Sequence, residues 1–206
     1  MRSIRQQIPL RPRIIRPLIT LQCMRIKGTL EEGAMNIKAL SAEYEVRKLK
    51  GSDVPAIFTL CHGNPMFYQH CPPVLTIESI IADMTTLPPN KTEKDKYYIG
   101  FFDRGTLLAV MDLIDGYPSP QIVFIGFFMS SHDSQGKGIG TKIITAACNY
   151  FRASGYSLVR LGYAKGNPQS ERFWLKNGFT KTGKEAPCEG YIAVGMERVL
   201  SVNTGI

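Results

Sequence analysis

The run Ile122-Val-Phe-Ile-Gly-Phe-Phe-Met129 constrains this chain more than any other feature. It is β-branched and aromatic and too short for a buried helix, so it reads as a buried strand. A glycine-rich turn, Ser130 to Gly140, follows, and then the apolar periodicity of Thr141 to Phe151. This order of strand, turn and helix predicts that the next strand, Leu158 to Tyr163, lies parallel to the first through a right-handed crossover. Gly136, Gly138 and Gly140 strip the turn of side chains, so the amides that open the helix can approach a ligand closely. Those amides and the positive end of the helix dipole favour a phosphate or pyrophosphate. The plain alternative is a turn that only lets strand and helix pack tightly.

Two common phosphate motifs do not fit. A Walker loop requires a glycine separated by four residues from Gly136-Lys137 and a hydroxyl after the lysine, where this chain has Ser131 and Gly138. A dinucleotide fingerprint requires its third glycine where Thr141 stands. The segment Gln135-Gly-Lys-Gly138-Ile-Gly140 instead resembles the acyl-CoA motif Gln/Arg-x-x-Gly-x-Gly/Ala of the GNAT superfamily of N-acetyltransferases. Downstream, Asn167-Pro-Gln-Ser170-Glu-Arg-Phe173-Trp174-Leu-Lys-Asn-Gly178-Phe179 is similar to that family's second motif, in the family's order and spacing, and the likeness spans about Tyr44 to Leu200.

The resemblance implies an α+β fold: a mixed, mostly antiparallel sheet of six or seven strands, one central parallel pair that splays apart, and helices on both faces. It implies that acetyl-CoA is the acyl donor and an amine the acceptor. The pantetheine arm would enter the splay and pair with the backbone of Phe128, Met129 and Ser130. The pyrophosphate would meet the amides of Gln135, Gly136, Lys137, Gly138, Ile139, Gly140 and Thr141, with Lys137 as a charge partner. Asn167 would bond the pantetheine region, and Ser170 and Phe173 would pack beside it. Asn167 also reads as a helix cap before Pro168, and Ser170 and Phe173 as helix packing.

Acetyl transfer needs a base, because an alkyl ammonium with a pKa of about 10.4 is less than roughly 0.1% neutral at pH 7. Asp112 interrupts the apolar strand Leu107 to Ile114, where a carboxylate is costly unless it faces a cavity or a partner. The alternative readings are that it points to solvent or holds a backbone hydrogen bond. Asp115 reads as a turn residue. Many family members carry a tyrosine that protonates the departing thiolate at the position of Trp174, and indole N–H cannot do so. Tyr163 is the candidate substitute. Phe67, Tyr68 and His70 fall where the family builds its acceptor pocket. The missing tyrosine keeps a second function open, a catalytically silent acyl-CoA-binding module.

The chain has 206 residues, 44% apolar, which suffices for one well-buried core. No run approaches the roughly 20 apolar residues of a membrane helix. Five widely spaced cysteines without a Cys-x-x-Cys pair, and three histidines without ligand spacing, suggest neither disulfides nor a metal site and fit a cytoplasmic protein. The net charge of +8 is uneven: residues 1–34 carry seven Lys/Arg and two Asp/Glu, leaving 18 and 15 for the remainder. That balance in residues 35–206 argues against nucleic acid or membrane partners, and a homodimer is allowed. Residues 1–34, with three prolines and no periodicity, read as a disordered or non-native extension, with Met35 as the natural start and residues 35–206 as one domain.

The remaining pattern predicts strands at Tyr44–Leu49, Phe179–Lys184 and Tyr191–Val199. Helices are expected at Ser52–Cys61, capped by Ser52, and at Thr76–Thr86, with Ile77, Ile80, Ile81 and Met84 as an apolar stripe. Tyr97–Phe102 and Thr106–Leu113 form a hairpin across the three residues Asp103-Arg-Gly105.

Overall fold

The computed structural model describes residues 34–72 and 74–200, so the reading of residues 1–34 lies, apart from Ala34, outside the described residues. Seven strands form one sheet: β1 Glu45–Lys48, β2 Lys96–Asp103, β3 Thr106–Ile114, β4 Ile122–Ser130, β5 Leu158–Ala164, β6 Thr180–Cys188 and β7 Tyr191–Val199. Their order is β1-β2-β3-β4-β5-β7-β6. All neighbours pair antiparallel except β4 and β5, which are parallel, as the crossover required.

The helices are α1 Val54–His62, α2 Pro65–His70, α3 Ile77–Thr85, α4 Ile139–Ala153 and α5 Pro168–Lys176. α4 and α5 cover one face of the sheet, where Ile143, Ile144, Phe151 and Trp174 pack on Ile99, Met111, Val123 and Leu161. α1 and α3 cover part of the other, with Ile57, Leu60 and Ile80 on Tyr98, Phe102 and Val110. Burying each such large side chain contributes about 1.5–3 kcal/mol. With both faces covered, β2 and β3 read as nearly continuous apolar runs.

Several boundaries differ from expectation for local reasons. β2 runs through Asp103, so its hairpin turns on Arg104-Gly105 alone; both have positive φ (47° and 81°), the conformation that a tight two-residue hairpin demands. A 3-10 turn at Gly51–Asp53 delays α1, and Asp53 rather than Ser52 precedes it. In α3 only Ile80 is fully buried, while Ile77 and Ile81 face outward, because that short helix touches the core along a narrow line. α2 went unrecognised, being six residues long with no fully buried side chain. No helix among the described residues is long and apolar enough to cross a membrane.

Two irregularities shape the middle of the sheet. β4 and β5 pair only from Ile122 opposite Leu158 to Ile125 opposite Leu161, and beyond these they diverge. At that same level Asp112 faces Phe127 while Leu113 faces Ile125, so Gly126 is an unpaired extra residue, a β-bulge.

Candidate active site

The splay opens towards the start of α4. A 3-10 turn at His132–Ser134, held by the Ser131–Ser134 hydroxyl pair at 2.6 Å, turns the chain after β4. Gly136 and Gly138 then adopt φ of 73° and 79°, and no atom lies within 4 Å of where a Cβ would stand on either. Gly138 caps α4 without any side-chain hydrogen bond. The first amide bonded back into the helix is that of Lys142, donating to the Gly138 carbonyl at 3.0 Å, so helix geometry leaves the amides of Ile139, Gly140 and Thr141 for a ligand. Gly140 is needed for packing instead, since its Cβ would come within 3.1 Å of the Phe173 ring. The missing side chain lets Phe173 stack on Phe128, with ring centroids 5.6 Å apart.

A mainly apolar cleft of about 130 Å³ runs along this region, bounded by Phe128, Met129 and Ser130 of β4, by Gln135, and by Asn167, Ser170 and Phe173 of α5. The structure therefore brings together most of the residues expected to contact the cofactor. Asn167 caps α5, accepting from the Ser170 amide at 3.0 Å, and is almost fully buried. Trp174 walls the inner side, its ring 5.0 Å from those of both Phe173 and Phe179.

Sequence reasoning missed the polar chain that closes this cleft. The Gln135 amide donates to Asn64, Gln169 donates to Gln135, and Asn64 donates to the Ser130 carbonyl at 3.1 Å. Three elements are thereby pinned to the end of β4. Each bond joins residues far apart in the chain, so no local pattern announces it.

Beyond the bulge, on the face carrying α1 to α3, lies a second pocket of about 100 Å³. Asp112 stands in it, and neither solvent exposure nor a backbone bond explains the residue. Its side chain is buried and Oδ2 accepts from Lys96 Nζ at 2.8 Å, while Oδ1 has no partner among the described residues. Burial pushes this carboxyl up to about 6, against the opposing pull of the Lys96 ammonium. The bulge makes room for it: a Cβ on Gly126 would lie 2.6 Å from Asp112 Oδ2. Phe67, Phe127, Tyr191 and Asp83 also line the pocket. Of the expected acceptor-side residues only Phe67 does so. Tyr68 packs under α1 and α3, and His70 lies near Gly166. Lys96 was not foreseen, because its pairing with Asp112 arises only when β2 and β3 align.

Tyr163 stands apart from both clefts. It is buried on the α4–α5 side, its hydroxyl donates to Glu171 at 2.9 Å, and burial raises its phenol above the ordinary range. Asp115 accepts from the Tyr156 hydroxyl at 2.6 Å and serves the turn after β3. Among the described residues no cluster of three or more His, Cys, Asp or Glu side chains could hold a metal ion.

A mixed seven-stranded sheet, splayed at its parallel pair above a bare helix start and flanked by helices, defines an open-sheet α+β fold. Residues 64–179, more than half of the chain, match the acetyltransferase (GNAT) family model. The chain belongs to that family. Among solved structures it is similar to an acetyltransferase from Thermus thermophilus (19% identity, TM-score 0.60, covering 76% of this chain and 97% of that one). It is also similar to Ard1 from Thermoplasma volcanium (16%, 0.57, 78% and 99%). The PaiA N-acetyltransferase of Thermoplasma acidophilum, solved in complex with coenzyme A, resembles it too (20%, 0.55, 76% and 98%). At such identities these likenesses concern the fold. No curated protein gives a significant match.

Proposed function

We propose that this protein transfers the acetyl group of acetyl-CoA to a primary amine by direct attack in a ternary complex. The observation that carries the reading is the juxtaposition at the bulge. The β4–β5 splay, leading from the α4 amides, ends beside a buried carboxylate with an unpartnered oxygen. The residues present fit a CoA thioester: open amides for the pyrophosphate, and a strand edge with an apolar cleft for the pantetheine. That donor supplies a carbonyl carbon activated by a thiol leaving group.

Asp112 then does the proton work. With its carboxyl near 6 it is ionised at pH 7, and Oδ1, unpartnered but closed to solvent, would be uncovered as an ammonium enters the pocket. Removing one ammonium proton exposes the nitrogen lone pair. The new N–C bond forms, the C–S bond breaks, and the nitrogen's second excess proton passes through water to the departing thiolate, of pKa about 8.5, while Asp112 returns its own proton to solvent. A β4 amide in the splay would stabilise the oxyanion. Tyr163 has no part in this scheme, since its hydroxyl is engaged with Glu171.

The test is release of free CoA from acetyl-CoA in the presence of a panel of primary amines. Acceptor-dependent release supports the reading. Tight CoA binding without release from any amine would favour the silent module.

A further inference from the structure

The pocket at Asp112 does not end at its aromatic wall. Tyr117, in the connection between β3 and β4, packs edge-on against Phe124 at 5.6 Å, and these two rings also line a neighbouring groove of about 220 Å³. That groove runs over the half of the same sheet face formed by β5, β7 and β6. Its floor is Gly162, Ala193, Gly195 and Ala186, residues too small to fill it. Gly195 is required there, because a Cβ would come within 2.7 Å of Thr182 Oγ1, which donates to the Gly195 carbonyl. Arg160 is neutralised by Glu197 at 3.0 Å, and Lys184 stands on β6 at the outer strand.

Tyr117 supplies the second observation. Its side chain is buried, yet the hydroxyl has no hydrogen-bond partner among the described residues. A buried, unpaired hydroxyl is unfavourable and rare unless a ligand completes it. The residues that line the pocket and the groove thus include two with unpartnered, solvent-closed polar atoms, Asp112 Oδ1 and the Tyr117 hydroxyl, beside Asp83, Thr86 and Lys96 in the pocket and Arg160, Thr182, Lys184 and Glu197 in the groove.

The geometry points to a two-part acceptor site: the amine lies at Asp112, the acceptor's body fills the groove, and Tyr117 determines specificity by donating to a neutral oxygen on that body. The substrate class is then a primary amine bearing an aryl or alkyl body with an ether or carbonyl oxygen. Burial raises the Tyr117 phenol above its ordinary range, so it remains a donor wherever the enzyme works. The assignment rests on the proposed placement of the amine at Asp112.

The experiment uses the full chain saturated with CoA and two probes, phenethylamine and 2-(4-methoxyphenyl)ethylamine. Their dissociation constants are measured by titration calorimetry, and their acetylation separately by thiol release. The parent should bind the methoxy compound about fivefold more tightly, the usual worth of one neutral hydrogen bond. In Tyr117→Phe that ratio should fall to about one. Gly162→Val, whose Cβ meets only Ala193 at an ordinary 3.5 Å, should weaken both probes relative to ethylamine by partly filling the groove. A parent ratio near one, a ratio that survives Tyr117→Phe, or failure of both probes to bind would overturn the groove assignment. Binding ratios as stated, with no thiol released from any amine, would leave the groove standing and remove acetyl transfer.

Discussion

Replacing Asp112 with asparagine tests proton transfer at this position through the pH dependence of the reaction. The amide has the shape of the carboxyl and can still accept from Lys96, but it loses both the capacity to take a proton and the charge opposite the buried Lys96 ammonium, so the shape of the pH profile, and not the size of the loss alone, identifies the base. In the parent, substrate binds as the ammonium and Asp112 removes the proton, so kcat/KM should rise through the carboxyl's value of about 6 and then remain level. In Asp112→Asn only the free base can react. With an amine pKa of about 10.4, about 0.04% of it is free base at pH 7, which predicts a loss of about 10³-fold there. The deficit should shrink about tenfold for each pH unit, so the variant's profile climbs where the parent's is flat. Thiol release between pH 5 and 9.5, with melting temperatures as a control, measures this. A profile parallel to the parent's, or a loss below about tenfold at pH 7, would refute Asp112 as the base. Stability gives an independent sign. The folded carboxyl binds its proton more tightly than the unfolded one, so parental stability should decline as pH rises from about 4 through about 6, by up to about 3 kcal/mol. Asp112→Asn should lack that decline.

Gly138→Asp should weaken acetyl-CoA binding sharply in calorimetry. The substitution has open space but a φ of 79°, so backbone strain and charge, not crowding, do the harm; like charges 4 Å apart repel by about 4 kcal/mol at an effective dielectric of 20. Trp174→Ala should lose about 3–5 kcal/mol of stability in denaturant titrations, whereas Trp174→Phe should keep most activity, because the indole packs on Phe128, Phe173 and Phe179. Gly126→Ala should lower the melting temperature, with overpacking of about 1–3 kcal/mol, and displace the apparent pKa of the parent's acid limb, since the new methyl must move the Asp112 oxygen that holds Lys96.

The sequence revealed most where one segment carries its own period. β4, the glycine turn, α4 and the parallel return strand follow from local alternation and from the handedness of crossovers. The cofactor cleft was legible because its residues lie in two contiguous motifs. The pocket at Asp112 was not, since it is assembled by register, Lys96 meeting Asp112 through the β2–β3 alignment; nor was the polar chain beside the cleft, where Asn64 reaches Ser130 from 66 residues away. Asp112 could be singled out because a carboxylate inside an apolar strand is anomalous by itself. Tyr117 gave no such signal, for a tyrosine beside a proline in a turn is ordinary until its hydroxyl is found buried and unpaired.

The bulge at Gly126 is also a change of parity. Before it, Val123 and Ile125 point into the core beneath α4; after it, Phe128 does so, while Phe127 and Met129 face the side of α1 to α3. One uncounted residue thus sends two adjacent phenylalanines to opposite cavities, Phe128 to the cleft beside α5 and Phe127 to the pocket at Asp112. Drawing Gly126 into the ladder as an ordinary paired residue would restore uninterrupted alternation and a more regular sheet. It would also exchange the two rings, turning Phe127 towards α5 and Phe128 towards Asp112, so that regularity in this strand would come at the expense of both cavities.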